Sequence, residues 1–132
     1  MRMATKKYED SRKYGSQVIY PELSYKLTGV LFEVHKELGC FEKEVYYGNR
    51  IAEKLFEMKI PYKREVSVAD TGNIIDFIVN GKIVLELKSV RFITKEHYRQ
   101  IQNYLQQSGI KLGLLINFRQ KFLKPLRIVR ID

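Results

Sequence analysis

The segment "IIDFIVNGKIVLELKSV", residues 74–90, constrains the fold more than any other part of the chain. Two apolar runs flank Asn80-Gly81, a pair suited to a tight hairpin because both residues tolerate a left-handed backbone. The segment therefore predicts two antiparallel strands side by side. The second strand carries a contradiction. Val84, Leu85, Leu87 and Val90 read as buried, yet Glu86 and Lys88 sit among them two residues apart, on one face of the pleat. Burying an unpaired charge is costly. Either that face opens to water or the charges are held there for chemistry.

Asp76 on the first strand adds a second carboxylate, so that Asp76, Glu86 and Lys88 form D-x9-E-x-K across the hairpin. Carboxylates on adjacent strands can hold a divalent cation, and a lysine on the same face can neutralise charge on a phosphorane-like transition state or help activate water. The bland reading is a solvated strand face with a Glu86–Lys88 ion pair worth little. Register decides whether the site can form. A two-residue Asn80-Gly81 loop sets Asp76 opposite Leu85 and turns Glu86 to the other face. A three-residue turn, Val79-Asn80-Gly81, with Gly81 in a bulge sets Asp76 opposite Val84, with Glu86 and Lys88 on its face. A bulged turn is therefore expected.

The rest of the chain supplies one α/β domain around this hairpin. Residues 1–20 are polar and basic without period, which reads as a flexible N-terminal arm. From Pro21, Leu23, Leu27, Val30, Leu31, Val34 and Leu38 recur at helical spacing up to Gly39. A second helix is expected from about Lys43 to Met58, with Ile51, Leu55 and Met58 inward, ending before Pro61. "REVSV" alternates as a strand and "ADTGN" reads as a turn. A third helix spans about Thr94 to Gln107, with Thr94 as N-cap and Gly109 as the stop. "KLGLLINF" reads as a buried strand and "PLRIVRI" as an alternating last one. The order is ααβββαββ, with residues 21–132 as a single domain.

Composition narrows the partners. A net charge of +9 over 132 residues suits contact with a polyanion. One cysteine and two histidines exclude an internal disulfide and a cysteine-based metal cluster and argue against zinc, so a bound metal would be Mg²⁺ or Mn²⁺ on carboxylates. No apolar run is long enough to span a bilayer and the N-terminus has no apolar signal core, so a cytoplasmic protein is expected, away from membranes.

Smaller signals surround the hairpin. Gln100 and Tyr104 in "QIQNY" lie at i, i+4 on the third helix; taken alone, they read as a solvated residue and a core residue. Glu44 and Tyr47 in "FEKEVYYGN" lie at i, i+3 on the second helix. His97 is a candidate phosphate contact, although a structural role is the commoner fate, and His35 reads as structural. Arg119, Lys121 and Lys124 in "FRQKFLKPLRIVR" form either a phosphate-tracking rim or a solvated edge.

Taken together, "LGCFEKEVYYGN", "IPYKREV", "IIDFIVNGKIVLELKSV", "HYRQIQNYL" and "GIKLGLLINF" resemble the PD-(D/E)xK nuclease superfamily, and within it the small stand-alone "GxxExxY" proteins. The resemblance covers Leu23 to Ile131 and implies a restriction-endonuclease-like fold with a mixed central sheet flanked by helices. It implies that Asp76 and Glu86 are metal-binding carboxylates, with the Leu87 carbonyl as a further ligand, and that Lys88 is the catalytic lysine. Glu44 would be the acidic residue supplied by an early helix. Gln100 and Tyr104 would match the Q-x-x-x-Y element of RecB-like exonucleases, helping to hold the site and the DNA backbone. Tyr47, His97, Arg119, Lys121 and Lys124 are the candidate nucleic-acid contacts. Ile75 stands where the superfamily name has proline, and Phe41 stands at the glycine position of "GxxExxY". The function implied is Mg²⁺-dependent hydrolysis of nucleic acid, with DNA the expected substrate. The rival readings are an inactive nucleic-acid-binding module and an interaction protein, homodimeric or docked through its basic arm.

Overall fold

The computed structural model describes residues 19–68 and 71–131. Residues 1–18 of the expected arm lie outside the described residues, as do Ala69 and Asp70 of the expected turn. The elements follow the expected order: α1 (Pro21–Leu38), α2 (Glu44–Glu57), β1 (Tyr62–Ser67), β2 (Ile74–Val79), β3 (Ile83–Lys88), α3 (Lys95–Ser108), β4 (Leu112–Asn117) and β5 (Leu126–Val129). No helix among the described residues is long and apolar enough to cross a membrane.

The helix ends follow from local chemistry. Pro21 opens α1, where its missing N–H would have had no partner anyway. Gly39 closes it at φ 78°, with its N–H on the carbonyl of His35. Thr94 caps α3 through a reciprocal pair: its hydroxyl accepts the His97 N–H, and the His97 Nδ1 accepts the Thr94 N–H. Gly109 ends α3 in the left-handed region. One expectation about α2 fails: Ile51 and Leu55 are fully buried, whereas Met58, at the C-cap, is 44% exposed. The helix ends a residue too soon for Met58 to share the buried stripe.

The strands lie side by side in chain order, β1-β2-β3-β4-β5. β3 and β4 are parallel, joined through α3, and the remaining neighbours are antiparallel. Alternation along β3 divides its side chains between two cores. Ile83, Leu85 and Leu87 face α1 and α2 among Leu27, Leu31, Ile51 and Leu55, while Val84 faces α3 among Ile101, Leu105 and Leu115. Glu86 and Lys88 continue the α3 face. Gly113 on β4 lets α3 approach closely, since a Cβ there would lie 2.7 Å from Cγ2 of Ile101.

The β2–β3 turn is bulged, but not at the expected residues. Val79 pairs with Ile83, Ile78 with Val84 and Phe77 with Leu85. The loop is Asn80-Gly81-Lys82, with Asn80 and Gly81 at φ 53° and 64° and the Lys82 N–H on the carbonyl of Val79. Lys82 is thus the extra residue, and Val79 stays in the strand. Continuing this register puts Asp76 opposite Glu86 rather than opposite Val84. A shift of two residues keeps side chains on the same face, so the two carboxylates still meet.

Candidate active site

At Asp76 the sheet departs from regularity on both sides. The paired register of β1 and β2 skips Glu65, which lies across from Asp76 and has a left-handed backbone at φ 53°. Ile75 and Ile78 belong to the same core cluster although they are three apart, which a flat strand would not allow. On the β3 side, carboxylates take the hydrogen bonds that a strand ladder would have made. The Asp76 N–H donates to Glu86 Oε1 at 3.0 Å, and the Leu87 N–H donates to Asp76 Oδ2 at 2.7 Å. Each acid thus holds the backbone of the opposite strand.

Glu86 is 7% exposed. Its burial, then the charge of Asp76 and a carboxyl–carboxyl hydrogen bond with it, push its pKa up to about 8, against the opposing pull of the Asp76 N–H and Lys88. Lys88 lies at the end of β3 with Nζ 3.9 Å from Glu86 Oε2, a contact that becomes an ion pair once Glu86 ionises. An open cleft of about 380 Å³ lies beside these groups, and its wall includes Glu86, Lys88, Gln100 and Tyr104. The fold thus brings four of the anticipated residues around one cavity. Burial in the α3-side core raises the pKa of Tyr104, which keeps its hydroxyl protonated as a donor.

Glu44 and His97 flank the same strand end. Glu44, the first residue of α2, accepts the Ser89 N–H through Oε2 at 2.9 Å. His97 has its pKa lowered, first by burial and then by the charge of Lys88, with Glu44 acting in the opposite sense. With Nδ1 accepting from Thr94, the neutral imidazole carries its proton on Nε2. The Leu87 side chain packs in the α1–α2 core. Arg119, Lys121 and Lys124 are exposed on the segment after β4, at the same end of the parallel pair as Lys88.

Tyr47 requires a correction. It was expected to contact nucleic acid, but it is fully buried and stacks on Phe118 with ring centroids 4.1 Å apart. Its hydroxyl donates to the Gly39 carbonyl at 2.5 Å and accepts the Glu42 N–H at 3.2 Å. It fastens the α1–α2 loop and has no surface to offer a ligand.

Sequence reasoning also missed part of the cleft. Asn103 and Gln107 line it with Gln100 and Tyr104, and the turn residues Thr71, Gly72 and Asn73 form the opposite side. The signal was present: positions 100, 103, 104 and 107 share the i, i+3, i+4, i+7 spacing of one helix face. Asn117 was missed as well. Buried beside Lys88 in the parallel register, it donates to the Val90 carbonyl and accepts the Val90 N–H, pinning the β3–α3 loop.

Among the described residues, no group of three or more His, Cys, Asp or Glu side chains is arranged to hold a metal ion. The pair Asp76 and Glu86 remains. It offers only oxygen donors, and bringing two carboxylates together in a buried place is the strain that a divalent cation relieves. These two carboxylates could hold a hard divalent cation such as Mg²⁺ or Mn²⁺.

The fold is thus a mixed five-stranded sheet in ααβββαββ order, with Glu86 and Lys88 of its central strand on the wall of a cleft and Asp76 on the strand beside them. The profile of the PD-(D/E)xK nuclease superfamily matches residues 21–131, and the chain belongs to that superfamily. No curated protein and no solved structure gives a significant match.

Proposed function

We propose that the protein is a Mg²⁺- or Mn²⁺-dependent nuclease of the small "GxxExxY" type, hydrolysing phosphodiester bonds in DNA. The observation that carries this reading is the pairing of Asp76 with buried Glu86, each accepting the other strand's amide, with Lys88 Nζ 3.9 Å from Glu86 on the wall of an open cleft. A strand face built only for stability has little use for a desolvated acid pair beside a cavity. Asp76 and Glu86 would hold the metal, Glu86 releasing its proton to solvent on binding, with the Leu87 carbonyl a further ligand; the ion would supply Lewis-acid charge to the scissile phosphate. The Lys88 ammonium neutralises charge developing on the phosphate oxygens and orders the attacking water. Gln100 and the Tyr104 hydroxyl orient Lys88 or the phosphate. Glu44 fixes the end of β3 through Ser89, and His97 offers Nε2–H to a phosphate oxygen. Arg119, Lys121 and Lys124 extend the contact along the backbone of the nucleic acid.

The test is cleavage of labelled single-stranded, duplex and branched DNA, and of RNA, in Mg²⁺, Mn²⁺ or EDTA. Wild type is expected to cut in a metal-dependent manner, and Lys88→Ala to lose at least a hundredfold in rate. Cutting that survives Lys88→Ala refutes the site. Nucleic-acid binding without any cutting leaves the same fold as an inactive binding module.

A further inference from the structure

Three loops meet at the end of the sheet where β3 and β4 finish. The Ser89 hydroxyl donates to the Glu42 carbonyl, joining the β3–α3 loop to the α1–α2 loop. The Asn117 amide holds Val90, and the Phe118 N–H donates to the Lys88 carbonyl, joining the β3–α3 loop to the segment after β4. His35 lies 2.7 Å from the Gln120 carbonyl and ties that segment to α1. These bonds connect the three loops beside the ends of β3 and β4, the end of the sheet at which Lys88 lies.

Each loop carries a phenylalanine turned into solvent: Phe41 is 82% exposed, Phe92 73% and Phe122 81%. Each ring has a cation beside it. The Arg119 guanidinium lies 5.5 Å from the centroid of Phe41, that of Arg91 lies 5.7 Å from Phe92, and the Lys121 ammonium lies 5.6 Å from Phe122. The other cation–ring pairs among the described residues involve Phe77, which is fully buried, and Tyr20, packed on the core edge. Exposed rings also occur elsewhere, as at Phe56 on α2, so what marks these three is that they sit on connected loops, each with a cation beside it.

We propose that Phe41, Phe92 and Phe122, each with its neighbouring cation, form a stacking platform for unpaired bases, so that the strand presented to the site is single-stranded nucleic acid. The chemistry is that of single-strand binding: a ring stacks on any base, and the adjacent cation meets the phosphate that follows it. Duplex has no free base faces in its interior to offer. The net charge of +9 is complementary to such a strand. Phe41 occupies the glycine position of the "GxxExxY" pattern, so this departure from the motif becomes part of the platform. The proposal rests on the nuclease reading for its orientation toward Lys88, but the binding is independent of turnover.

The experiment measures fluorescence anisotropy of labelled oligo(dT), a mixed single strand and a matched duplex in EDTA at low and moderate salt. It compares wild type with the single Phe→Ala variants, the triple Phe41→Ala/Phe92→Ala/Phe122→Ala variant and the matching Phe→Trp set. Because the rings are exposed, the variants are expected to unfold at the wild-type temperature. Single-strand affinity is expected to fall roughly fivefold or more for each ring removed, to recover in the Trp set, and to leave duplex affinity within about twofold. Equal loss on duplex and single strand, or no loss on either, overturns the platform. Absence of oligonucleotide binding at low salt also overturns it, and points to a protein partner for the three loops. Parallel Mg²⁺ cleavage assays on wild type separate the two claims. Stacking without cutting leaves the platform and removes the nuclease. Cutting with unaltered binding in the triple variant does the reverse.

Discussion

Replacing Glu86 by glutamine should stabilise the metal-free protein at pH 8 and do little at pH 5. Gln keeps the oxygen that accepts the Asp76 N–H and removes the ionisable group. The sign follows from linkage. An acid held at about 8 in the folded chain, against the ordinary carboxylate range when unfolded, binds its proton more tightly in the native state. Its contribution to stability is therefore fully present below about pH 4.5 and is lost as pH rises through about 8. Each tenfold difference in proton affinity is worth about 1.4 kcal/mol. The displacement thus corresponds to about 5 kcal/mol at most, and roughly 2–3 kcal/mol once local relaxation is allowed for. For a chain of this size that is on the order of 6–12 °C in Tm. Thermal and urea unfolding in EDTA at pH 5, 6.5 and 8 would read it directly. Wild type should lose stability between pH 5 and 8, and Glu86→Gln should flatten that slope. Equal slopes in both proteins, or a Glu86→Gln variant destabilised at pH 8, would refute a desolvated, proton-retaining Glu86.

Two structural predictions complete the set. Tyr47→Phe should cost about 1–2 kcal/mol in urea unfolding, through the lost bond to the Gly39 carbonyl, while DNA affinity stays at the wild-type value; a selective loss of DNA affinity would return Tyr47 to the interface. Gly113→Ala should cost roughly 1–3 kcal/mol, because its Cβ would press on Ile101 and push α3 from the sheet; unchanged stability would show that α3 can slide to make room.

The fold was legible because its punctuation is local. Pro21, Gly39, Thr94 and Gly109 act through their own backbone preferences, and the alternation of β1 and the unbroken apolar run of β4 follow from where each strand lies in the sheet. The register of the hairpin was legible only in part. "VNGK" admits a third loop residue on either side of Asn80-Gly81, and nothing in the local propensities prefers Lys82 over Val79. The meeting of Asp76 and Glu86 survived because either choice preserves the face. The fate of Tyr47 was not legible at all: its spacing from Glu44 gives an angle around α2, while the ring it stacks on, Phe118, comes from a distant part of the chain, and its hydroxyl bond to Gly39 depends on how the α1–α2 loop turns back. The distortion at Asp76 was hidden for a similar reason, since it needs a left-handed Glu65 on a strand whose sequence simply alternates.

The interlock between Asp76 and Glu86 has a consequence for descent. Because each acid accepts the other strand's amide, an amide side chain could keep the backbone bond in place of Glu86 while losing the acid, so the two strands can stay joined without the carboxylate pair. The Lys88 side chain, whose contact is with Glu86, takes no part in that joint. Among relatives of this chain, Gln at position 86 with a drifting residue at 88 would mark a domain that keeps the sheet joint and has no use for the acid pair.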